Sequence, residues 1–367
     1  MRNIADTIAR MARVGAPTPL HCGPSRLTAL TEFGTNPGAL PGYVYVPKDL
    51  PSGAPLVVVL HGCTQTASGY DHGSGWSRLA DRAGFALLFP EQTRANNPNL
   101  CFNWFASEDT ARAGGEAASI AQMTETMIAR HAIDPQRVYV TGLSAGGAMT
   151  LAMLATRPDL FAGGAVIGGL AYGTATGVSQ ALDRMRGHGE TSDHALVEAV
   201  HNGSRGHEGR WPTLSIWHGA ADSTVSVSNA DTIGRQWRAL HGVAADAVRV
   251  DRTAKATHRI WSDPEGRIVV EEWIVAGMGH GTPIDPSGGE QIGVAGPFML
   301  DAGVSSTTTI AQSWGLIPVG KAQTKAAPQR AAKVAIPVRT TAKAKPSAPT
   351  SVQSVIENAL RAAGLMR

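Results

Sequence analysis

A serine, an aspartate and a histidine follow one another along the chain, each placed after a run of apolar residues. Ser144 comes after Val138-Tyr-Val-Thr-Gly-Leu143, Asp222 after Thr213-Leu-Ser-Ile-Trp217 and a short turn, and His280 after the run from Val269 to Val275. These three side-chain types together perform nucleophilic acyl transfer. A serine hydroxyl is a poor nucleophile at neutral pH, so it needs an imidazole to take its proton and a carboxylate to hold that imidazole in the right tautomer. Gly142-Leu143-Ser144-Ala145-Gly146 fits Gly-x-Ser-x-Gly, in which a tight turn between strand and helix holds the hydroxyl above a sheet. With 42 glycines in the chain, the five residues alone carry little weight, and the β-branched strand before them and the apolar helix after them carry more. His280 sits among Gly277, Gly279 and Gly281, which suits close approach of its ring to other backbone, against the alternative of a solvated loop histidine. Asp222 opens a helix, so its competing role is a capping carboxylate, and Asp231 and Asp251 are weaker rivals for the acid.

The elements that must position these residues are legible around them. Arg26 to Thr31 and Gly42 to Val46 read as an opening antiparallel hairpin, and Leu56-Val-Val-Val-Leu60 as a strand buried on both faces. Further strands are expected at Phe85 to Phe89, Gly164 to Gly169, Val248 to Asp251 and Arg259 to Ser262, with helices at Trp76 to Gly84, Glu116 to His131 and after Val225. Strands alternating with helices in this way predict an α/β fold with a mostly parallel central sheet flanked by helices. Residues 171–209, rich in Gly, His and charge, read as an insertion with two short helices that caps the site.

The strand at Leu56 to Leu60 runs into His61-Gly62-Cys63-Thr64-Gln65, where a bend after Gly62 can aim the Cys63 N–H at the site mouth. Cys63 N–H and Ala145 N–H are therefore candidate oxyanion donors, against an ordinary loop with Cys63 buried as a small apolar side chain. The long polar loop from Pro90 to Gly114 carries Cys101-Phe-Asn-Trp-Phe105. Its aromatic residues, Trp104 among them, either wall a ligand site or anchor the loop to the domain. Cys63 and Cys101 both follow buried strands, so a disulfide can form between them, although a reducing cytoplasm would keep it open.

Composition excludes several classes. Three cysteines are too few for a disulfide scaffold, and no Cys-x-x-Cys or His-Glu-x-x-His pattern supports a zinc site, so no metal is expected. Met1 to Val14 lacks the continuous apolar run of a secretory signal and reads as a short amphipathic helix through Ile4, Ile8, Met11 and Ala12, which makes the cytoplasm the default compartment. The net charge of +3 conceals a stretch from Pro318 to Arg367 carrying +8 against −5 for the remainder. Residues 318–350 read as a disordered basic linker and 351–367 as an amphipathic helix through Val352, Val355, Ile356, Ala359 and Leu360. That tail is either simply solvated or holds the protein on a polyanion, an anionic membrane or a polymer granule. No specific nucleic-acid contact is expected.

Taken together, His61-Gly-Cys-Thr-Gln65, Cys101-Phe-Asn-Trp-Phe105, Gly142-Leu-Ser-Ala-Gly-Gly147 and His218-Gly-Ala-Ala-Asp222 resemble the esterase/poly(3-hydroxybutyrate) depolymerase family, over about Ser25 to Gly315. The resemblance implies an α/β-hydrolase fold across residues 25–317, without metal or organic cofactor, and hydrolysis of short-chain polyhydroxyalkanoate or related carboxylic esters. Ser144 would be the nucleophile, Asp222 the acid and His280 the base, with Cys63 and Ala145 as the oxyanion hole. It further implies a Cys63 to Cys101 disulfide and a substrate-facing Trp104, with Gln65 as a second substrate-binding candidate. Many members are secreted, which sets an extracellular location beside the cytoplasmic one, and a folded C-terminal substrate-binding module is not visible here. The alternatives are a feruloyl or acetyl carbohydrate esterase, a small-ester carboxylesterase, and a catalytically silent adaptor that binds granules or nucleic acid.

Overall fold

Four runs, Leu56–Leu60, Ala86–Pro90, Val138–Leu143 and Gly163–Ile167, are buried at every position, as strands must be when helices cover both faces of a sheet. The structure, a computed structural model, describes residues 25–289 and 291–318. The expected N-terminal helix, Cys22, the basic stretch from residue 319 and the final helix lie outside the described residues.

In chain order the elements are β1 (Thr28–Leu30), β2 (Gly42–Tyr45), β3 (Leu56–Leu60), α1 (Ala67–Ser74), α2 (Trp76–Ala83), β4 (Ala86–Pro90), α3 (Ser107–Thr110), α4 (Gly115–His131), β5 (Val138–Leu143) and α5 (Ala145–Thr156). They continue as β6 (Gly163–Ile167), α6 (Val178–Met185), α7 (Asp193–Ser204), β7 (Thr213–Gly219), α8 (Ser228–Leu240), β8 (Val248–Arg252), β9 (Ala256–Ser262), β10 (Ile268–Val275), β11 (Thr282–Ile284), β12 (Met299–Asp301) and α9 (Ser306–Ser313). The main sheet runs β1-β2-β4-β3-β5-β6-β7-β10-β9-β8. Its six central strands from β4 to β10 are mutually parallel, and both edges are antiparallel. All six therefore deliver their following loops to the same edge, where open α/β sheets hold their ligands.

Alternation along the strands divides the core in two. Leu56, Val58 and Leu60 join Met123 and Met127 of α4, Leu151 of α5 and Trp237 of α8 on one face. Val57 and Val59 join Tyr70 of α1, Trp76 of α2 and Ile310 of α9 on the other. A mostly parallel sheet flanked by helices is thus the observed architecture.

The structure departs from the sequence pattern in three places. Helix α1 carries no clear signal in the sequence: Gly69 and Gly73 lower its propensity, but Thr66 Oγ1 caps it by accepting from Gly69 N–H at 3.1 Å, and burial of Tyr70 holds it. The two-stranded parallel pair of β11 and β12 and the Thr-rich helix α9 are equally silent, because three-residue strands and β-branched helix turns show no clear period. Residues 171–209 divide rather than forming one cap. Leu196 and Val200 of α7 are buried in the same core as α5 and α8, so α7 is part of the connection between β6 and β7. Met185 of α6 packs with Leu170 and Val225 by the site, and its carbonyl accepts from Ser226 N–H at 2.7 Å.

Candidate active site

Ser144 occupies the single residue between the end of β5 and the start of α5, with φ 57° and ψ −117°. A non-glycine residue there is strained, and such strain persists only where the surroundings over-determine it. Two contacts do so. A Cβ at Gly146 would lie 2.5 Å from the carbonyl oxygens of Leu60 and His61, so only glycine lets the first turn of α5 press against the end of β3. The Ser144 N–H donates to Ile167 O at 2.8 Å, fixing the turn to the end of β6. Although Ser144 stands at the N-cap position, its hydroxyl makes no capping bond, so Oγ remains available.

The acid and the histidine meet across 58 residues of sequence. His280 Nδ1 donates to Asp222 Oδ2 at 2.6 Å, and the Asp222 side chain is 1% exposed. Asp222 Oδ1 accepts from the N–H groups of Thr224 and Val225 at 2.8 and 2.9 Å. Burial alone would raise this carboxyl, but the His280 bond and charge together with the two backbone donors hold it below the usual carboxylate range. The ionised acid thus orients an imidazole whose Nε2 is left to act on a proton. Gly168, next to the Ile167 that anchors Ser144, lies against both partners: a Cβ there would sit 3.2 Å from His280 Cε1 and 3.6 Å from Asp222 Oδ2. Ser144, Asp222 and His280 therefore converge on Ile167–Gly168. Neither Asp231, in α8, nor Asp251, in β8, is hydrogen-bonded to His280.

Both candidate oxyanion donors lie at this edge. Ala145 begins α5, and neither its N–H nor that of Cys63 is paired with an acceptor among the described residues. The approach of Gly146 to Leu60 and His61 brings the two turns together. Cys63 and Cys101 form a disulfide with Cα atoms 4.2 Å apart, a pairing that the sequence alone leaves open for a reducing compartment. The bond closes a span of 38 residues, so Cys101→Ser is expected to lower the unfolding free energy by about 4 kcal/mol on loop-entropy grounds, measurable by urea unfolding.

Of the loop aromatics, Phe102 is fully buried against the core and is the anchor, whereas Trp104 packs with Leu170, Val225, Ala148 and Met185. Ala148 lies one helical turn beyond Ser144 and Val225 N–H donates to Asp222, so Trp104 belongs to an apolar wall beside Ser144. The Gln65 side chain is engaged within its own turn, where Oε1 accepts from Gly62 N–H at 2.8 Å. Sequence reasoning misses His218, whose buried Nε2 donates to Val225 O at 2.9 Å and lies 3.5 Å from Asp222 Oδ2. Burial pulls the His218 imidazole down, so it braces the acid loop in its neutral form. Its adjacency to Gly219 in the motif is the available signal. Phe298 is missed as well. It has φ 60° and sets its ring edge-on to His280, with centroids 6.3 Å apart. Among the described residues no cluster of His, Cys, Asp or Glu is disposed to hold a metal ion, and no helix is long and apolar enough to cross a membrane.

Residues 43–260, more than half of the chain, match the family described as Esterase PHB depolymerase, a span that includes Ser144 and Asp222 and stops before His280. A poly(3-hydroxyalkanoate) depolymerase C from Paucimonas lemoignei is 43% identical over 86% of this chain and 77% of its own length. A feruloyl esterase B from Talaromyces funiculosus is 30% identical over 71% of this chain and 74% of its own, and a probable acetylxylan esterase A from Aspergillus clavatus 32% identical over 71% and 85%. Among solved structures, an acetyl xylan esterase from Aspergillus awamori superposes with a TM-score of 0.68 at 24% identity, over 79% of this chain and 99% of that one, which shows the shared α/β-hydrolase fold.

Proposed function

The chain belongs to the esterase PHB depolymerase family of carboxylic ester hydrolases, and from that premise we propose that it cleaves short-chain polyhydroxyalkanoate esters through an acyl-enzyme on Ser144. The observation that carries the chemistry is the 2.6 Å bond from His280 Nδ1 to a desolvated Asp222, at the same sheet edge as a serine held in a strained turn with its hydroxyl unspent. Ser144 Oγ attacks the ester carbonyl while His280 Nε2 takes the hydroxyl proton, and Asp222 stabilises the resulting imidazolium. The oxyanion rests on the N–H groups of Cys63 and Ala145. His280 then protonates the departing alcohol. Water, deprotonated by the same ring, releases the acid and restores Ser144.

The substrate reading is supported by the 43% identity to a protein named as a poly(3-hydroxyalkanoate) depolymerase, against 30–32% for those named as feruloyl and acetylxylan esterases. The apolar wall of Trp104, Leu170 and Val225 suits a short aliphatic acyl unit. Incubation with amorphous poly(3-hydroxybutyrate) granules is expected to release 3-hydroxybutyrate. Turnover of feruloyl or acetylated xylan esters with none on the granules would transfer the assignment to a carbohydrate esterase. The charge of +8 on residues 318–367 supports a second role, adhesion to an anionic granule surface, and association that falls as salt is added is the corresponding result in the same assay. The Cys63 to Cys101 bond supports an oxidising compartment as the place of work, the extracellular alternative.

A further inference from the structure

Beneath the oxyanion turn lies a row of buried polar side chains that the acyl-transfer steps do not use. His61, at the end of β3, is 1% exposed, and its two ring nitrogens have partners of opposite kind. Nδ1 lies 2.7 Å from the carbonyl oxygen of Gly62, and Nε2 lies 3.1 Å from the backbone N–H of Gln92. A carbonyl can only accept and an amide N–H can only donate, so the ring must be the neutral Nδ1–H tautomer. Burial favours the same state, pulling the imidazole down to about 4. The Gly62 carbonyl belongs to the same planar peptide group as the Cys63 N–H, so fixing the oxygen fixes the direction of the oxyanion donor.

Gln92 carries the row onward. Its Nε2 donates to Cys101 O at 3.0 Å and to Glu116 Oε1. Glu116, also 1% exposed, accepts from the N–H of Asn103 at 2.8 Å and from Asn103 Nδ2 at 2.9 Å. None of these partners is a cation, and burial pushes the Glu116 carboxyl up to about 8. A buried carboxyl of this kind costs stability, so it calls for a role that an apolar side chain could not fill. Asn103 immediately precedes Trp104. The far end of the row thus sits under the apolar wall, and the near end under the oxyanion donor. Two further links join the same segments: the Cys63–Cys101 bond, and the N–H of Thr64 donating to Asn99 O at 2.7 Å.

We propose that His61, Gln92 and Glu116 form a buried positioning relay that locks the Cys63 oxyanion donor to the loop carrying Trp104, so that hole and acyl wall keep one geometry. The proposal rests on the acyl-enzyme reading above. Its residues touch no reacting atom and act through the Gly62–Cys63 peptide.

Glu116→Met keeps the length of the side chain but removes both acceptor oxygens, leaving the donors of Gln92 and Asn103 without their partner. His61→Phe removes both ring bonds while keeping the packing on Phe102, whose ring centroid lies 5.0 Å away. Each variant is assayed with p-nitrophenyl butyrate and with a trifluoromethyl ketone, which forms an oxyanion when Ser144 adds to it, at a temperature well below its own melting midpoint. Since losing one oxyanion donor costs about 10²–10³-fold, misaligning one is expected to lower kcat by about 10–100-fold, with a matching loss of ketone affinity and KM within about threefold. Competitive inhibition by 1-butanol, which has no carbonyl or carboxylate oxygen to place in the hole, is expected to stay near wild type. Variants whose melting temperature falls while kcat and ketone affinity hold would overturn the relay, as would equal loss of ketone and butanol binding. Should one variant not fold, the other decides alone, and Gln92→Met, which breaks the row between them, is the reserve. A wild type without Ser144-dependent hydrolysis would remove the esterase reading and the relay with it, whereas an active wild type with indifferent variants removes the relay alone.

Discussion

Ser144→Ala is expected to reduce ester hydrolysis by about 10⁴-fold or more while leaving the fold intact, because removal of an acyl-transfer nucleophile leaves only the contribution of the hole and of binding. Stability should hold because the Ser144 Oγ does not cap α5 and bonds no other group among the described residues, so its loss orphans no partner there. Alanine keeps the same Cβ in the turn at φ 57°, so the strain is unchanged and the melting midpoint should shift by no more than about 0.5 kcal/mol in equivalent stability. Hydrolysis of p-nitrophenyl butyrate, labelling by a serine-directed phosphonate and a thermal melt read the three parts separately. Labelling of the wild type and not of the variant would remove the silent-adaptor alternative. Hydrolysis retained by the variant would move the chemistry away from Ser144.

Asp222→Asn is expected to cost about 10⁴-fold in kcat, for a reason written into its own hydrogen bonds. The N–H groups of Thr224 and Val225 both point at Oδ1, so an asparagine must keep its oxygen there and present its NH₂ to His280. Nδ1 of His280 would then have to accept, and the ring proton would move to Nε2, the position that must be bare to take the serine proton. A second consequence concerns pH. The Asp222 carboxyl is held below its ordinary range in the fold, so it contributes stability that is complete above the unfolded-state value and lost as pH falls through the folded one. Melting curves of wild type and Asp222→Asn should therefore draw closer below about pH 4, near the ordinary carboxylate value. Curves that keep a constant separation down to strong acid would show that another group carries the charge effect.

Both expectations concern residues that are legible along the chain, and the relay concerns residues that are not. Ser144 can be found because everything that makes it a nucleophile candidate lies within a few positions: an apolar β-branched strand, two glycines and an apolar helix. Asp222 and His280 can be ordered because each follows a strand of the same parallel set, and parallel strands release their loops to one edge. Trp104 reads in the sequence only as one of two things, wall or anchor. The structure buries Phe102 in the core and packs Trp104 on Leu170 and Val225. Glu116 looks like an ordinary acidic residue in the first turn of a helix, a place where the dipole favours it. Its burial, and its donors from Gln92 and Asn103, come from a loop folded over that turn.

Local units are settled along the chain: the strand and helix periods, the turn that carries Ser144, the order of Ser144, Asp222 and His280, and the cysteines able to bond. Those features are set by neighbours in sequence, through backbone sterics and through which side chains share a face. Which distant groups meet is settled only in three dimensions: His280 with Asp222, Gly146 against Leu60 and His61, Leu196 and Val200 of α7 in the core shared with α5 and α8, and the neutral tautomer of His61. Periodicity carries no information about strand order or about the partner of a buried polar atom. Those depend on how apolar faces pack and on the requirement that each polar group enclosed by that packing find a donor or acceptor.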